Sequence, residues 1–269
     1  MINLKEEAET LTGFNQLCHQ TFLKHKGSLL VGIKNDAQRL MTYKYFDVLN
    51  ELCIQASNCL NSRAYSASEA LTRVIIEQSA NHLYIALDDG RNARALLKRS
   101  KKLTLNNGNN WVEHLTAQGI DNPAAKARQR NGEALVQDFE KRWPDTGHYP
   151  NAKELFKALG WTSHYHAYYA PLCDSVHTFS DDMANLVGIF ELYEQSAQDG
   201  AEVLAYWEQE RRRLATYHCA VAIGLRYEAF ARICDRLDSV GVLEAVLPAV
   251  KKLQALIDRH EQYDHVRVS

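Results

Sequence analysis

The sequence predicts an all-α protein: a bundle of long antiparallel helices with shorter helices inserted in the middle of the chain. Three observations support this. Apolar residues recur at three- and four-residue steps over long stretches, no alternating pattern indicates a strand, and Gly (13) and Pro (5) are scarce among 269 residues. With 46% hydrophobic and 24% charged residues, the chain has the composition of a globular protein that buries a substantial core.

Helix signals are clear in the first third of the chain. Residues 4–23 show the helical spacing loosely, and the stretch from Ala37 to Leu60 shows it strongly. Ser66 followed by Glu69 has the spacing of a capping box, in which the hydroxyl and the carboxylate each bond to an unpaired backbone amide. We therefore expect a third helix to begin at Ser66.

The middle of the chain is more broken. Residues 106–110 (Asn-Asn-Gly-Asn-Asn) predict a loop, Asn122-Pro123 predicts a helix start, and Asn151 with Glu154 predicts a short capped helix that Gly160 closes. We predict one helical domain over residues 1–269, with residues 101–162 as an inserted helical subdomain.

Long helices return in the last third. The pattern after Asp199-Gly200 predicts a helix of more than 30 residues, and Pro248 predicts a kink or a start in the last one. Tyr206, Trp207 and Phe230 exceed what one helical seam needs. They favour a homodimer.

Charge and cysteine usage limit the partners and the cellular compartment that we expect for this protein. Lys+Arg is 31 and Asp+Glu is 33, so the net charge of −2 argues against a protein coated in nucleic acid or lying on an anionic membrane, although a local basic patch is compatible with it. The acidic start is unlike a signal peptide, and no apolar run approaches the ~18 residues of a membrane span. The six cysteines form no C-x-x-C pair. We therefore predict a reduced, cytoplasmic protein that does not enter a membrane.

A polar stripe on the third helix is the first candidate site. It consists of Arg73, Glu77, Asn81 and Tyr84, which share one helix face, and Arg73 and Glu77 stand at the i,i+4 spacing of an ion pair. A stripe of this kind suits a cleft in which the arginine meets a phosphate. An ordinary solvated face gives the same pattern, and periodicity alone favours that interpretation.

The segment from Ser163 to His177 is the second candidate. It is dense in groups that donate, accept or stack, among them Tyr169, Ser175 and His177. Histidine is the side chain best suited to move protons near neutral pH. The same composition is explained about as well by half-buried Tyr and His rings that pack in the core and keep their polar atoms in contact with water. No P-loop, G-x-G-x-x-G, G-x-S-x-G or H-E-x-x-H motif occurs, so we predict neither a metal nor a cofactor.

A basic run is the third candidate. It has no acidic residue between its first and last members and consists of Arg91, Arg94, Lys98, Arg99, Lys101 and Lys102. Such a run can follow the phosphates of RNA, although a solvated helix face is the commoner explanation. We expect it to stand near one end of the Arg73 stripe, because only a short turn separates it from that helix.

Two of these segments together resemble a known family. The stretch Ala70–Tyr84, with its R-x-x-x-E-x-x-x-N pattern, and the later Tyr169…Ser175-x-His177 segment resemble a bacterial all-helical family of unknown function. That family is loosely similar to the HEPN helical bundles, many of which are metal-independent ribonucleases of toxin–antitoxin and anti-phage systems. Catalytic HEPN domains carry an arginine four to six residues before the histidine, and here no arginine stands there. The resemblance therefore implies that Arg73 supplies the guanidinium.

Two functions follow as alternatives. The first is an RNA-directed toxin or defence effector, a metal-independent endoribonuclease in which His177, Arg73 and Glu77 are catalytic. The second is a non-catalytic helical bundle that binds a nucleotide or a protein partner. Geometry discriminates between them, because the first requires Arg73 and His177 to reach one phosphate.

Overall fold

The computed structural model describes residues 3–178, 187–188, 191 and 200–268, and the side chains of 175–178, 201, 203 and 264–268 lie outside that description. Helices dominate the described residues, which contain no β-strand, so the predicted all-α class is confirmed. In chain order they are α1 (Leu4–Val31), α2 (Asp36–Asn61), α3 (Tyr65–Ala86), α4 (Arg91–Ala117), α5 (Pro123–Arg142), α6 (Ala152–Ala158), α7 (Thr162–His164), a π-helical turn (Tyr165–Tyr169), α8 (Ala170–Thr178), α9 (Gly200–Arg236), a 3-10 turn (Val240–Leu243) and α10 (Leu247–Val268).

Helices α2 and α3 run antiparallel and are tied at both ends. At one end the Ser68 hydroxyl donates to the Ala56 carbonyl at 3.1 Å, and at the other the Gln38 amide donates to the Ile85 carbonyl at 2.8 Å. Both bonds satisfy buried polar groups between the helices. They fix the register of α3 and therefore the direction in which its polar stripe faces.

Helix α9 has 37 residues, which confirms the predicted long helix. Arg211, about three turns into α9, donates to the Ser66 hydroxyl at 2.6 Å, and Arg236 at its end donates to the Ala86 carbonyl, so α9 runs parallel to α3. The proposed spare apolar residue Phe230 is in fact buried in the core, where its ring meets Phe46 at 5.1 Å. Phe230 therefore does not support a dimer, because its ring packs inside the core of one chain.

The core lies among α1, α2, α3, α9 and α10. Its most deeply buried aliphatic side chains are Leu11, Leu49, Ile75, Ile76, Leu83, Ile223 and Leu256. Fully burying such a side chain contributes about 1.5–3 kcal/mol. This burial holds the bundle together and leaves the polar stripe of α3 to face the segment α6–α8.

Helices α4 and α5 form a hairpin beside the bundle. The predicted loop at 106–110 is wrong, because those residues lie inside α4. Gly108 is buried against the Gln129 backbone, where an added Cβ would approach the Cα to 3.1 Å, and Gly132 meets Leu105 in the same way at 2.9 Å. Close packing of two helices at these glycines overrides the weak helix propensity of the Asn-Gly run. The separation of 101–162 as a subdomain stays a prediction.

Helix starts show which local signals act. The predicted Ser66 cap is wrong: α3 begins at Tyr65 without a side-chain cap, and the Ser66 hydroxyl accepts from Arg211 instead. The caps at Asn122 and Asn151 are confirmed, the second as a full capping box with Glu154. Pro248 is the second residue of α10, where a missing amide hydrogen costs nothing. Among the described residues, no helix is apolar over a length that would cross a bilayer.

Candidate functional site

Arg73 and Glu77 form the predicted ion pair on α3. Their side chains are 3.2 Å apart, and 21% and 29% of their respective surfaces are exposed. Ile76 and Ala80 on the same helix are fully buried. The pair is thus half-buried at the edge of the core, and an ordinary solvated face does not describe it.

The guanidinium of Arg73 also contacts α8 and the π-helical turn before it. Its Nε donates to the Cys173 sulfur at 3.1 Å, and one terminal nitrogen donates to the Tyr169 hydroxyl at 3.2 Å. The guanidinium carbon lies 5.4 Å from the centre of the Tyr169 ring. Together with Glu77 these contacts fix the guanidinium in one plane between α3 and α8, as a planar fork of donors permits.

Tyr169 stays a neutral hydroxyl at this site. Burial raises the pKa of its phenol, and the carboxylate of Glu77 raises it further. It occupies the last position of the π-helical turn Tyr165–Tyr169, an irregularity that is common at functional sites. Tyr169 therefore serves as a hydrogen-bonding partner of Arg73, and it is unsuited to accept a proton.

Helix α8 carries the two remaining predicted residues of this segment. Ser175 and His177 lie in its last two turns, two and four residues after Cys173, and their side chains are outside the described residues. What the structure brings together is the stretch of α8 before His177 and the Arg73–Glu77 pair.

Asn81 and Tyr84 complete the stripe on α3 but lie farther from α8. Asn81 is buried, and its side-chain oxygen accepts from the Tyr149 hydroxyl at 2.7 Å. The Tyr84 ring meets Tyr149 edge-on at 5.5 Å. These residues hold the segment after α5 against α3. Sequence reasoning missed Tyr149, because no local pattern relates it to a helix 68 positions earlier.

The basic run lies along the first three turns of α4. Lys98 donates to the Thr146 carbonyl at 2.8 Å, and Arg99 donates to the Pro150 carbonyl at 3.2 Å. Lys102 pairs with Glu140 on α5 at 3.5 Å. The side chains of two members, Arg94 and Lys101, make no hydrogen bond or ion pair with the described residues. Part of the run thus supports the Trp143–Pro150 segment, and part is open to a ligand.

A second polar cluster is buried inside the bundle. Nε2 of His260 lies 2.9 Å from a carboxylate oxygen of Glu7, and its Nδ1 lies 3.4 Å from Arg213. Arg213 also pairs with Glu210 at 2.8 Å. Because a guanidinium only donates, Nδ1 accepts, and the Nε2 hydrogen points to Glu7. Sequence reasoning missed this cluster, because its residues come from α1, α9 and α10, which are far apart in the chain.

Metal ligation has no support in the part of the chain that the structure describes, where no three His, Cys, Asp or Glu side chains cluster to hold an ion. His82, the residue after Asn81 of the stripe, is fully buried between Tyr45 and Phe46 at ring distances of 5.5 and 4.6 Å. Its ring is therefore part of the aromatic core.

The fold and the site define a helical-bundle protein in which a half-buried arginine joins two helices beside a basic hairpin. The chain belongs to DUF5677, a family of unknown function, whose model matches residues 42–204. That range contains the α3 stripe, the α4–α5 hairpin and α8. No curated protein and no solved structure matches the chain.

Proposed function

We propose that this chain is a HEPN-like, RNA-directed toxin or anti-phage effector, and that Arg73, Glu77 and His177 form a metal-independent endoribonuclease site. The observation that supports the proposal is the position of Arg73. Its guanidinium is held by Glu77 from its own helix and by groups preceding His177 on the opposite segment. A fixed guanidinium at the edge of the core is suited to stabilise phosphate charge.

The proposed reaction is attack of a ribose 2′-oxygen on the adjacent phosphorus. His177 takes the 2′-hydroxyl proton as general base, the bond from phosphorus to the 5′-oxygen breaks, and the protonated His177 returns that proton to the leaving 5′-oxygen as general acid. Arg73 stabilises the negative charge of the phosphorane, and Glu77 keeps Arg73 in place. The products are a 2′,3′-cyclic phosphate and a free 5′-hydroxyl, so the reaction balances without a metal or a cofactor.

The test is RNA integrity with purified protein and in expressing cells. We expect wild-type protein to cut RNA and slow growth, and His177→Ala and Arg73→Lys to do neither. His25→Ala, which changes a histidine on α1, is the matched control and keeps wild-type activity. If the wild type and His177→Ala leave RNA equally intact under all conditions, the ribonuclease proposal is wrong.

A second candidate is a non-catalytic bundle that binds a nucleotide or a protein partner. The observation that favours it is that Arg73 already has three protein partners, an arrangement that stabilises the contact between α3 and α8 without any ligand. This candidate is distinguished from the first if a nucleotide binds and RNA is not cleaved. A rise of the melting temperature on addition of the nucleotide measures the binding.

A homodimer is part of the proposal as well. Tyr206 is 46% exposed near the start of α9, and Trp207 beside it lies under the guanidinium of Arg211 at 4.7 Å. Exposed aromatic residues are enriched at protein interfaces. Light scattering at tens of micromolar protein tests the homodimer, and a monomer at that concentration contradicts the proposal.

The cytoplasmic location stays a prediction.

A further inference from the structure

The α4–α5 hairpin differs in charge from the rest of the protein. Residues 91–142 hold 11 Lys and Arg against 5 Asp and Glu, a formal charge of +6, whereas the other residues hold 20 against 28, a formal charge of −8. The net charge of −2 conceals this asymmetry. A cationic surface on an otherwise acidic protein attracts a polyanion preferentially to that surface.

Two cavities of similar size lie side by side on this hairpin. They have volumes of about 380 and 370 Å³ and share Thr146 and Gly147 as a common wall. The first is lined by Arg91, Arg94, Arg142, Trp143, Pro144 and Asp145. The second is lined chiefly by Lys98, Arg99, Lys102, Asn106 and His148. Six of these residues are Lys or Arg and one is acidic.

The wall between the cavities is held in place. Lys98 and Arg99 donate to backbone carbonyls of Thr146 and Pro150, and the buried Tyr149 between them bonds to Asn81 on α3. These bonds anchor the segment both to α4 and to the bundle. The cavities therefore exist before a ligand arrives, which lowers the ordering cost of binding.

The first cavity combines a free cation with an exposed aromatic face. Arg94 is half-buried, and its side chain makes no hydrogen bond or ion pair with the described residues. The Trp143 side chain packs on Phe139 with ring centres 4.9 Å apart and is still 39% exposed. Arg142 and Arg91 are partly engaged by Asp138 and Asp88 at 3.1 and 3.9 Å. The cation suits a phosphate group and the exposed indole suits a nucleobase, so the cavity has a site for each part of a nucleotide.

We infer that the two cavities form a binding cleft for single-stranded nucleic acid, with one base stacked on Trp143 and the backbone following Arg94 toward Lys102. Stacking on an exposed indole requires a base whose face is free, and a cationic groove with an aromatic stacking platform is the usual means of holding a single strand. The distance from Arg91 to Lys102 along α4 is about 16 Å, so the backbone passes more than one cation. Through Tyr149 the cleft adjoins the α3 stripe. The inference rests on the proposed function and names single-stranded RNA as its substrate class.

The test is fluorescence anisotropy of labelled single-stranded RNA of about a dozen nucleotides, a length that suits such grooves. All proteins carry His177→Ala so that the RNA stays whole. We expect Trp143→Leu to weaken binding about tenfold or more and Trp143→Phe to restore most of it. Arg94→Gln, at a side chain without a partner, should reduce the slope of log affinity against log salt by about 0.7.

The matched controls are Trp111→Leu and Arg128→Gln, which lie on the same hairpin outside both cavities. We expect each to bind RNA as the parent does. Equal losses in Trp111→Leu and Trp143→Leu overturn the inference, and so does equal affinity for single strands and duplex. A partner protein that binds only when Trp143 is present, with no RNA bound, assigns the surface to protein instead and also overturns it.

The outcomes separate this inference from the proposed function. If wild-type protein binds single-stranded RNA through Trp143 and never cuts it, the cleft stands and the ribonuclease proposal fails. If Trp143→Leu and Arg94→Gln cut RNA at the wild-type rate, the ribonuclease stands and the cleft fails. Single-stranded DNA of the same sequence, measured in parallel, shows whether the ribose hydroxyl contributes to recognition.

Discussion

The hydroxyl of Tyr149 donates a 2.7 Å hydrogen bond to the side-chain oxygen of Asn81, and this bond joins two surfaces of the protein. Asn81 belongs to the polar stripe of α3. Tyr149 forms a wall of the cationic cleft, where Arg99 lies 5.7 Å from its ring centre. Displacement of Tyr149 would therefore affect the stripe and the cleft together, which makes this contact the first to test.

Tyr149→Phe should destabilise the protein by about 1–3 kcal/mol. The substitution keeps the ring and its edge-on contact with Tyr84 but leaves the buried Asn81 oxygen without its partner. Tyr84→Phe keeps the same ring pair and should change the free energy of unfolding by less than about 0.5 kcal/mol. Urea denaturation of both variants measures the difference. Similar values for the two would mean that the ring contact, and not the hydrogen bond, holds the segment.

Two glycine-to-alanine changes should have opposite signs. An added Cβ at Gly132 would stand 2.9 Å from the Leu105 Cα, so Gly132→Ala forces α4 and α5 apart at a cost of about 1–3 kcal/mol. Gly13 lies in α1 with no atom within 4 Å of the added Cβ. Gly13→Ala should therefore stabilise by up to about 1 kcal/mol through helix propensity alone. Thermal melts compare the two, and stabilisation by both would show that the hairpin is not tightly packed.

Features within one or two helical turns were predictable from the sequence, and features between distant segments were not. The Arg73–Glu77 pair and the Asn151 cap depend on residues four or fewer positions apart, and both are confirmed. The contact of Tyr149 with Asn81 depends on the path of the whole chain, and so does the burial of Glu7 against His260. The loop predicted at residues 106–110 is wrong for the same reason, because packing against α5 holds these residues in a helix.

Arg73→Ala should cost about 2 kcal/mol of stability. It removes the ion pair with Glu77 and the bonds to Cys173 and Tyr169 from a half-buried site, so the cost should exceed the ~1 kcal/mol of exposed pairs and stay below the ~3–5 kcal/mol of fully buried ones. Arg142→Ala is the matched control, because Arg142 pairs with Asp138 at the same spacing but with 63% of its side chain exposed. If the melting temperature falls equally in both variants, or in neither, Arg73 contributes no more to stability than an exposed surface arginine does.

His82 should make the fold less stable in mild acid. Burial, with the nearby Arg226 charge adding to it, lowers the pKa of this imidazole from 6.5 to about 3, so the folded protein keeps His82 neutral. Below pH 6.5 the unfolded chain binds a proton that the folded chain does not, and stability is lost as the pH falls from about 6.5 toward 3. Between pH 7 and pH 5 the loss from His82 alone is about 2 kcal/mol.

His82→Phe should remove that part of the pH dependence. The buried Nε2 of His82 has no hydrogen-bond partner in the described part of the chain, so a phenyl ring replaces the imidazole without breaking a bond there. Tyr45→Phe is the control: it alters the ring stacked on His82, and burial raises the pKa of Tyr45 to about 12, so this group does not titrate between pH 5 and 7. Urea denaturation of the three proteins at both pH values gives the comparison. We expect the loss between pH 7 and pH 5 to be about 2 kcal/mol smaller in His82→Phe than in Tyr45→Phe, and an equal loss in both would show that His82 takes up a proton inside the fold.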